Sequence, residues 1–589
     1  MQRSPQSVYD YLINRILFII KHPKQLFSVI SRCRAIYQYQ GIQGLRQAIE
    51  RDSKQTRSNS VVPTTKRSYS QWLKNEPKPP TISLDNRCKY HISIIIMGQE
   101  NLVEESNHTI KSIQQQTVSN WEILLIQQQQ GHTHISKITP QQNTVSETVN
   151  TTVCANILHT ALVRINGSYF TILEPGDFLI PEALSALSLA TQLNRPTIVY
   201  CDSDKINQKQ ERSSPNFKSG WNPLLLQGYN YLDRPVFFRR DKICSSTHFQ
   251  NDIGLHSWSI SQQISQHLTS KDVCHIPYIL CHCHDRPTKS SPKTNLQGPQ
   301  INLRKHELIH QSATIHPTVS IIIPTRNGLD ILERTITSLT KTNYPNTELL
   351  VIDNSSDDKA TLSFLSTLKR SHTAKVLSYN QPFNYSAINN YAVKQANGEI
   401  ICFLNNDTEV INPSWLSRLV RHAIAPVSGA VGPLLLYPDD TIQQAGIMLG
   451  HSAYGPGGLA CHAFCGHHKD YAGQNGRLLY AQYISAVTGA CLVVRKSVFE
   501  EVKGFDPQLA VTMNDVDLCL KIREKGYHNI LEPAAKLYHH ESLSRGTDDN
   551  DIKQVRSSRE ILYMRQKWGK ILTEDPYFPT GELGTIEWV

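Results

Sequence analysis

The sequence predicts an α/β protein with two tandem domains, each built on a mostly parallel sheet, preceded by a basic helical segment. Three observations carry that prediction. Short runs rich in Val, Ile and Leu end abruptly in polar residues, as strands buried on both faces do. Segments of helical length separate those runs, so the order is strand–helix–strand. The same series of runs also occurs twice along the 589 residues, at offsets of 227–231 positions.

The second copy is the more legible. Val319-Ser-Ile-Ile-Ile-Pro-Thr-Arg-Asn opens it, and Leu349-Leu-Val-Ile-Asp353-Asn354 and Ile400-Ile-Cys-Phe-Leu-Asn405-Asn406-Asp407 follow. Asp330–Thr340 reads as the first intervening helix. Ligands of such sheets bind beyond the carboxyl ends of the strands. An acid after the second run and another after the fourth suit a nucleotide at one end and a metal-bound diphosphate at the other. The first copy repeats the pattern in His91-Ile-Ser-Ile-Ile-Ile-Met, Trp121-Glu-Ile-Leu-Leu-Ile and Asn166-Gly-Ser-Tyr-Phe-Thr-Ile-Leu-Glu-Pro-Gly-Asp177. An offset of that size marks a duplicated domain and not a solenoid. Between them the Pro-containing stretch Arg286–Pro299 reads as a linker, and Gln127–Thr152 as a surface loop. The expected boundaries are 1–85 for the basic segment, 86–285 for the first domain, 286–316 for the linker and 317–589 for the second domain.

Composition narrows the class. Apolar residues make up 39% and charged residues 19%, a globular balance. The net charge of +10 is confined to residues 1–80, which hold 14 Lys and Arg against four Asp and Glu. Leu12, Ile13, Ile16, Leu17 and Ile20 recur there at helical spacing beside Arg15, Lys21 and Lys24. That pattern suits either attraction to anionic lipid or packing on the next domain. The apolar run is too short to span a bilayer and no secretory signal precedes it, so the expected place is cytoplasmic, peripheral at the inner face of the membrane. No nucleic-acid reader motif accompanies the basic segment, so nucleic acid is not an expected partner. Thirteen cysteines without small-domain spacing argue against a disulfide scaffold. Cys274–His284 and Cys461–His468 lack the paired Cys-x-x-Cys spacing usual for zinc.

The ordered motifs of the second copy, continued by Pro382-Phe-Asn-Tyr-Ser-Ala-Ile-Asn-Asn, Ala486-Val-Thr-Gly-Ala-Cys-Leu, Asn514-Asp-Val-Asp-Leu-Cys-Leu and His539-His-Glu-Ser-Leu-Ser-Arg-Gly, resemble glycosyltransferase family 2. The likeness covers roughly Pro317–Arg559 and is similar to bacterial rhamnosyltransferase-like enzymes of surface-polysaccharide assembly. It implies tandem GT-A (Rossmann-like) domains, an inverting transfer from a UDP- or dTDP-sugar, Mg²⁺ or Mn²⁺, and a glycan or lipid-linked acceptor. Asp407 is the implied metal ligand, completed by His539 or His540, since adjacent strand residues face opposite ways. Position 405 is Asn where Asp-x-Asp is common, which implies a cation held weakly until the diphosphate arrives. Asn405 and Asn406 shape that loop and Arg545 contacts the diphosphate. Pro324 and Thr325 surround the nucleoside, Asp353 binds the base, and Asn384 to Asn389 line the floor. Asp515 is the implied general base, at a helix start where Asn514 is placed to cap the first turn and the dipole favours the charged carboxylate.

The first copy departs from this. Gln127 stands where the second has Asp353, and Gly254–Ile260 holds no acid where Asp515 would fall, although Asp177 keeps the metal position acidic. A degenerate saccharide-binding or scaffolding domain is the expectation, with a bifunctional two-site polymerase and a wholly non-catalytic scaffold as rivals.

Overall fold

The computed structural model describes residues 69–80, 90–99, 102–129, 132–149, 157–207, 209–244, 256–284, 316–452, 455–540 and 551–578. The apolar pattern at Leu12–Ile20, the linker at Arg286–Pro299 and Arg545 lie outside those residues. The chain divides into two compact units, one holding Ile315–Asp575 and the other Lys66–Thr314 with Pro576–Val589.

In the unit holding Lys66–Thr314 the strands are β1 (Ile92–Gln99), β2 (Trp121–Gln129), β3 (His132–Thr139), β4 (Gln142–Val149), β5 (Tyr169–Leu173), β6 (Phe178–Leu179), β7 (Ile198–Ile206), β8 (Arg212–Asn216), β9 (Val236–Arg239) and β10 (Val273–His284). They form one sheet in the order β4-β3-β2-β1-β5-β9-β7-β10-β6, with β8 on β7. The pairs β1–β2, β1–β5 and β7–β10 are parallel. Ile94, Ile95 and Ile96 are wholly buried, as strands covered on both faces require. The stretch expected as a loop after Gln127 is instead strand: β3 and β4 pair antiparallel outside β2. Their polar composition hid them, because an edge hairpin with a face toward water needs few apolar residues, and Ile135 and Ile138, three apart, give no period-two signal. Residues 69–76, expected outside this domain, are tied to it. Tyr69 donates to Asp204 at 2.6 Å, and Arg212 bridges Glu76 at 2.6 and 2.7 Å.

The other unit carries β11 (Val319–Thr325), β12 (Thr347–Asp353), β13 (Lys375–Ser378), β14 (Ile400–Leu404), β15 (Thr408–Val410), β16 (Ser428–Leu436), β17 (Ile442–Gln444), β18 (Ile447–Ser452), β19 (Gly455–His462), β20 (Gln482–Ile484), β21 (Cys491–Arg495) and β22 (His528–His539). The sheet order is β13-β12-β11-β14-β21-β16-β22-β15, with β17 on β16, β20 on β22 and a separate β18–β19 hairpin. Four neighbouring strands, β13 to β14, are parallel, and the sheet turns mixed from β21 onward. The run β12-β11-β14-β21-β16-β22-β15 matches β2-β1-β5-β9-β7-β10-β6 strand for strand.

Both sheets share a polar clip at the end where their first strands begin. Ser93 donates to Glu122, which also accepts from the Asn166 amide, and the Gly167 amide donates to Ser93 Oγ. Ser320, Glu348, Asn397 and Gly398 repeat the arrangement. Gly is required at the last position, since a Cβ there would stand 2.4 Å from Ser93 Oγ in one unit and 2.5 Å from Ser320 Oγ in the other. The Ser, Glu and Asn-Gly identities of the internal repeat are thus structural.

Candidate active site

A cleft of about 900 Å³ opens at the carboxyl ends of β11 and β14. It is lined by residues that lie far apart in sequence, among them Pro324, Thr325, Asn405, Asp407, Asp515 and His539.

Chain geometry explains the convergence. Asn405–Asp407 is the bend between β14 and β15, and β15 pairs antiparallel with the end of β22, placing Thr408 opposite His539. The His540 amide donates to the Asp407 carbonyl at 2.9 Å, locking that register. The two histidines then face opposite ways. His539 turns into the cleft, with Nε2 3.1 Å from Asp407 Oδ1, while His540 turns out to Glu409 at 3.1 Å. Asn405 Nδ2 donates toward His539 Nε2 at 3.3 Å, and His539 Nδ1 meets Gln443 Oε1 at 2.7 Å. Asn406 is anchored on the neighbouring strand, donating to Thr325 Oγ1 at 3.1 Å, and its carbonyl accepts from Thr335.

Asp407 is 4% exposed, and its Oδ1 has no hydrogen-bond partner among the described residues. A buried carboxylate oxygen left without a donor is costly unless a cation completes it. The donor set of one carboxylate and one imidazole suits a divalent cation that takes its other ligands from phosphate or water. No cluster of three or more His, Cys, Asp or Glu among the described residues could hold a metal without such help.

Asp515 sits in the first turn of the helix Asn514–Glu524. Asn514 is already inside that helix and donates to Val511 O at 3.1 Å, so it is not the cap. The cap position falls on Met513, whose left-handed φ of 62° is a strained conformation for a side-chain-bearing residue beside a cleft. Asp515 accepts from the Gly489 amide through Oδ2 and the Val516 amide through Oδ1, both at 2.8 Å. Tyr385 donates to the Gly489 carbonyl at 2.7 Å. Its hydroxyl stays protonated well beyond the usual range, through burial first and the Asp515 carboxylate second. Asp517 is wholly buried away from the cleft, binding Trp568 Nε1 at 2.9 Å and Lys567 at 2.8 Å.

Other predicted residues fall elsewhere. Asp353 ends β12 and accepts from the Ser356 amide at 3.0 Å; its neighbour Asn354, not Asp353, lines the cleft. Asn384 and Asn389 do not line the floor. Asn384 caps its helix by accepting from the Ala387 amide and donates to Pro507 O, and Asn389 donates to Tyr385 O. Asn384 is thus spent as the helix cap, and Asn389, inside the helix, bonds back to the preceding turn. Tyr385 and Phe383 reach the cleft from that segment instead. Gln443, Arg556 and Ser557 also line it, and no motif flagged them.

The first unit arranges the matching acid differently. Asp177, wholly buried, accepts from Arg234 Nε at 2.7 Å, from the Glu174 amide at 3.0 Å and from the His284 amide at 3.2 Å. Phe178 pairs with His282, as Thr408 pairs with His539, yet His282 turns to Asp204 at 2.6 Å. A guanidinium thus occupies the counter-charge position beside Asp177.

Residues 320–503 match the family model described as glycosyl transferase family 2. The chain carries a family 2 glycosyltransferase domain. The cleft just described lies on this glycosyltransferase domain and on the segment that follows it. The chain is 33% identical over 506 residues to an uncharacterized protein of Sinorhizobium fredii, covering 80% of this chain and 55% of that one. It is 30% identical over 473 residues to an O-antigen biosynthesis protein of Myxococcus xanthus, covering 74% of this chain and 36% of that one. Over 130 residues it is 29% identical to an N-acetylglucosaminyl-diphospho-decaprenol L-rhamnosyltransferase of Mycobacterium tuberculosis, covering 21% of this chain and 41% of that one. The chain therefore spans about half or less of the length of these relatives. A mannosyltransferase of Pyrobaculum calidifontis, solved with GDP-Man and Mn²⁺, overlaps at TM-score 0.32 and 19% identity, covering 44% of this chain and 66% of that one. No helix among the described residues is long and apolar enough to cross a membrane.

Proposed function

We propose that the domain transfers a sugar, with inversion, from a nucleotide-diphosphate donor to a growing surface polysaccharide or lipid-linked glycan. The carrying observation is that Asp515 shares one cleft with Asp407, whose buried Oδ1 lacks a hydrogen-bond donor and faces His539 Nε2. Asp515 accepts the proton of the acceptor hydroxyl as its oxygen bonds the anomeric carbon. The bond from that carbon to the phosphate oxygen breaks, and its electron pair leaves with the nucleoside diphosphate. Amide donors from Gly489 and Val516 hold Asp515 in place. Pro324, Thr325 and Asn354 border the nucleoside end, with Asp353 holding the following turn through the Ser356 amide. Asp407 and His539 would hold Mg²⁺ or Mn²⁺, which when bound offsets the negative charge of the departing diphosphate.

The O-antigen and lipid-diphosphate acceptors in the names of the relatives support the choice of acceptor class. A UDP- or dTDP-sugar is the donor class, and a cytoplasmic site at the inner face of the membrane follows from a lipid-linked acceptor. Transfer is assigned to this one cleft. The Asp177–Arg234 pair favours a non-catalytic first unit, because a cation there would have to displace a partly buried guanidinium. The test is transfer to lipid-linked acceptor extracts from a panel of UDP-, dTDP- and GDP-sugars. Transfer that survives in Asp515→Asn would sink the assignment of the base.

A further inference from the structure

We propose that Gln443 is a positioning residue for cation binding: its side-chain carbonyl fixes the His539 ring with the proton on Nδ1, leaving Nε2 as a lone pair beside Asp407. This rests on the metal-dependent reading above. Gln443 lies on β17 and is 1% exposed, and its Oε1 stands 2.7 Å from His539 Nδ1. A carbonyl oxygen only accepts, so the ring nitrogen facing it must carry the hydrogen. On the other side of the ring, Asn405 Nδ2 approaches Nε2 at 3.3 Å, and an amide nitrogen only donates. Both contacts select the same tautomer.

Asp407 agrees with them. Its Oδ1 lies 3.1 Å from Nε2 and has no hydrogen-bond donor among the described residues. Two acceptor atoms, the Nε2 lone pair and a carboxylate oxygen, therefore stand 3.1 Å apart. The opposite tautomer would put a hydrogen on Nε2 and leave no lone pair there for a cation. Histidines that bind metals are commonly oriented in this way through their far nitrogen.

The test uses the full chain with Mn²⁺ and saturating UDP or dTDP, reading free Mn²⁺ by electron paramagnetic resonance. Gln443→Met, which keeps the length and removes the acceptor, is expected to weaken Mn²⁺ binding roughly 10–100-fold. Gln443→Glu, which restores the acceptor, is expected to keep it, and nucleotide binding in EDTA should be the same in all three proteins. Wild-type Mn²⁺ affinity in Gln443→Met would overturn the proposal alone, provided Asp407→Asn abolishes binding. Equal binding by wild type and Asp407→Asn would overturn the metal reading itself, and this proposal with it. A readout independent of any variant at 443 is the ¹⁵N spectrum of histidine-labelled protein, with His539 assigned by its absence in His539→Gln. Protonated Nδ1 supports the proposal, and protonated Nε2 contradicts it.

Discussion

Single side chains make the sharpest predictions. Replacing Asp515 by Asn keeps its shape and removes its basicity, so the transfer rate should fall by about 10²–10⁴-fold, with nucleotide binding unchanged. Single-turnover rates beside calorimetric nucleotide titration check both halves. The histidine pair offers a second contrast. His539→Ala should abolish stimulation by Mn²⁺, whereas His540→Ala, which loses only its contact with Glu409, should retain it; metal titrations of transfer distinguish them. At this scale the sequence was readable where chemistry leaves an acid at a strand or helix end, as with Asp407 and Asp515. It was unreadable for the choice between His539 and His540, which depends on the register of β15 against β22. Gln443 was unreadable for a related reason. It reaches the cleft from a three-residue strand with no sequence signature, by packing alone.

Elements depend on buried polar clips that the motifs alone do not explain. In the first unit, burial pushes the Glu122 carboxyl up, but hydrogen bonds from His91, Lys137, Ser93 and the Asn166 amide outweigh it and hold it at about 2, against an ordinary 4.5. A depressed folded-state value stabilises the fold above 4.5 and is lost as the pH falls toward 2. The stability gap between wild type and Glu122→Gln should therefore narrow over that interval, as acid-denaturation curves would show. In the other unit, Asp517 fastens the helix Asp551–Trp568 through Trp568 and Lys567. Asp517→Ala leaves the buried Trp568 N–H unpaired, while Lys567 keeps Asp506, and should cost about 1–3 kcal/mol, read from denaturant unfolding. The strands of the parallel cores were legible because they are continuous apolar runs. The edge hairpin β3–β4 was not, since its polar residues obey the same statistics as loops.

At the scale of the whole molecule, two units share a strand order but not the side chains around the matching acid. The duplication was visible as a repeat, and the matching sheets account for it. What the repeat did not show is that Arg234 fills the place beside Asp177, because the two residues are 57 positions apart. A double variant, Asp177→Asn with Arg234→Gln, removes both charges of the pair together and should leave transfer unchanged. Loss of one transferred sugar with retention of another would revive a two-site polymerase.

The most direct test of a single metal-dependent transferase site is nucleoside-diphosphate release across UDP-, dTDP- and GDP-sugars, with lipid-linked acceptor extract present. Each donor is run with Mn²⁺, Mg²⁺ or EDTA, beside Asp407→Asn and Asp515→Asn. Release from one donor that requires the cation, and disappears in both variants, is the expected result. Release that persists in EDTA or in either variant, or none from any donor, would contradict the account.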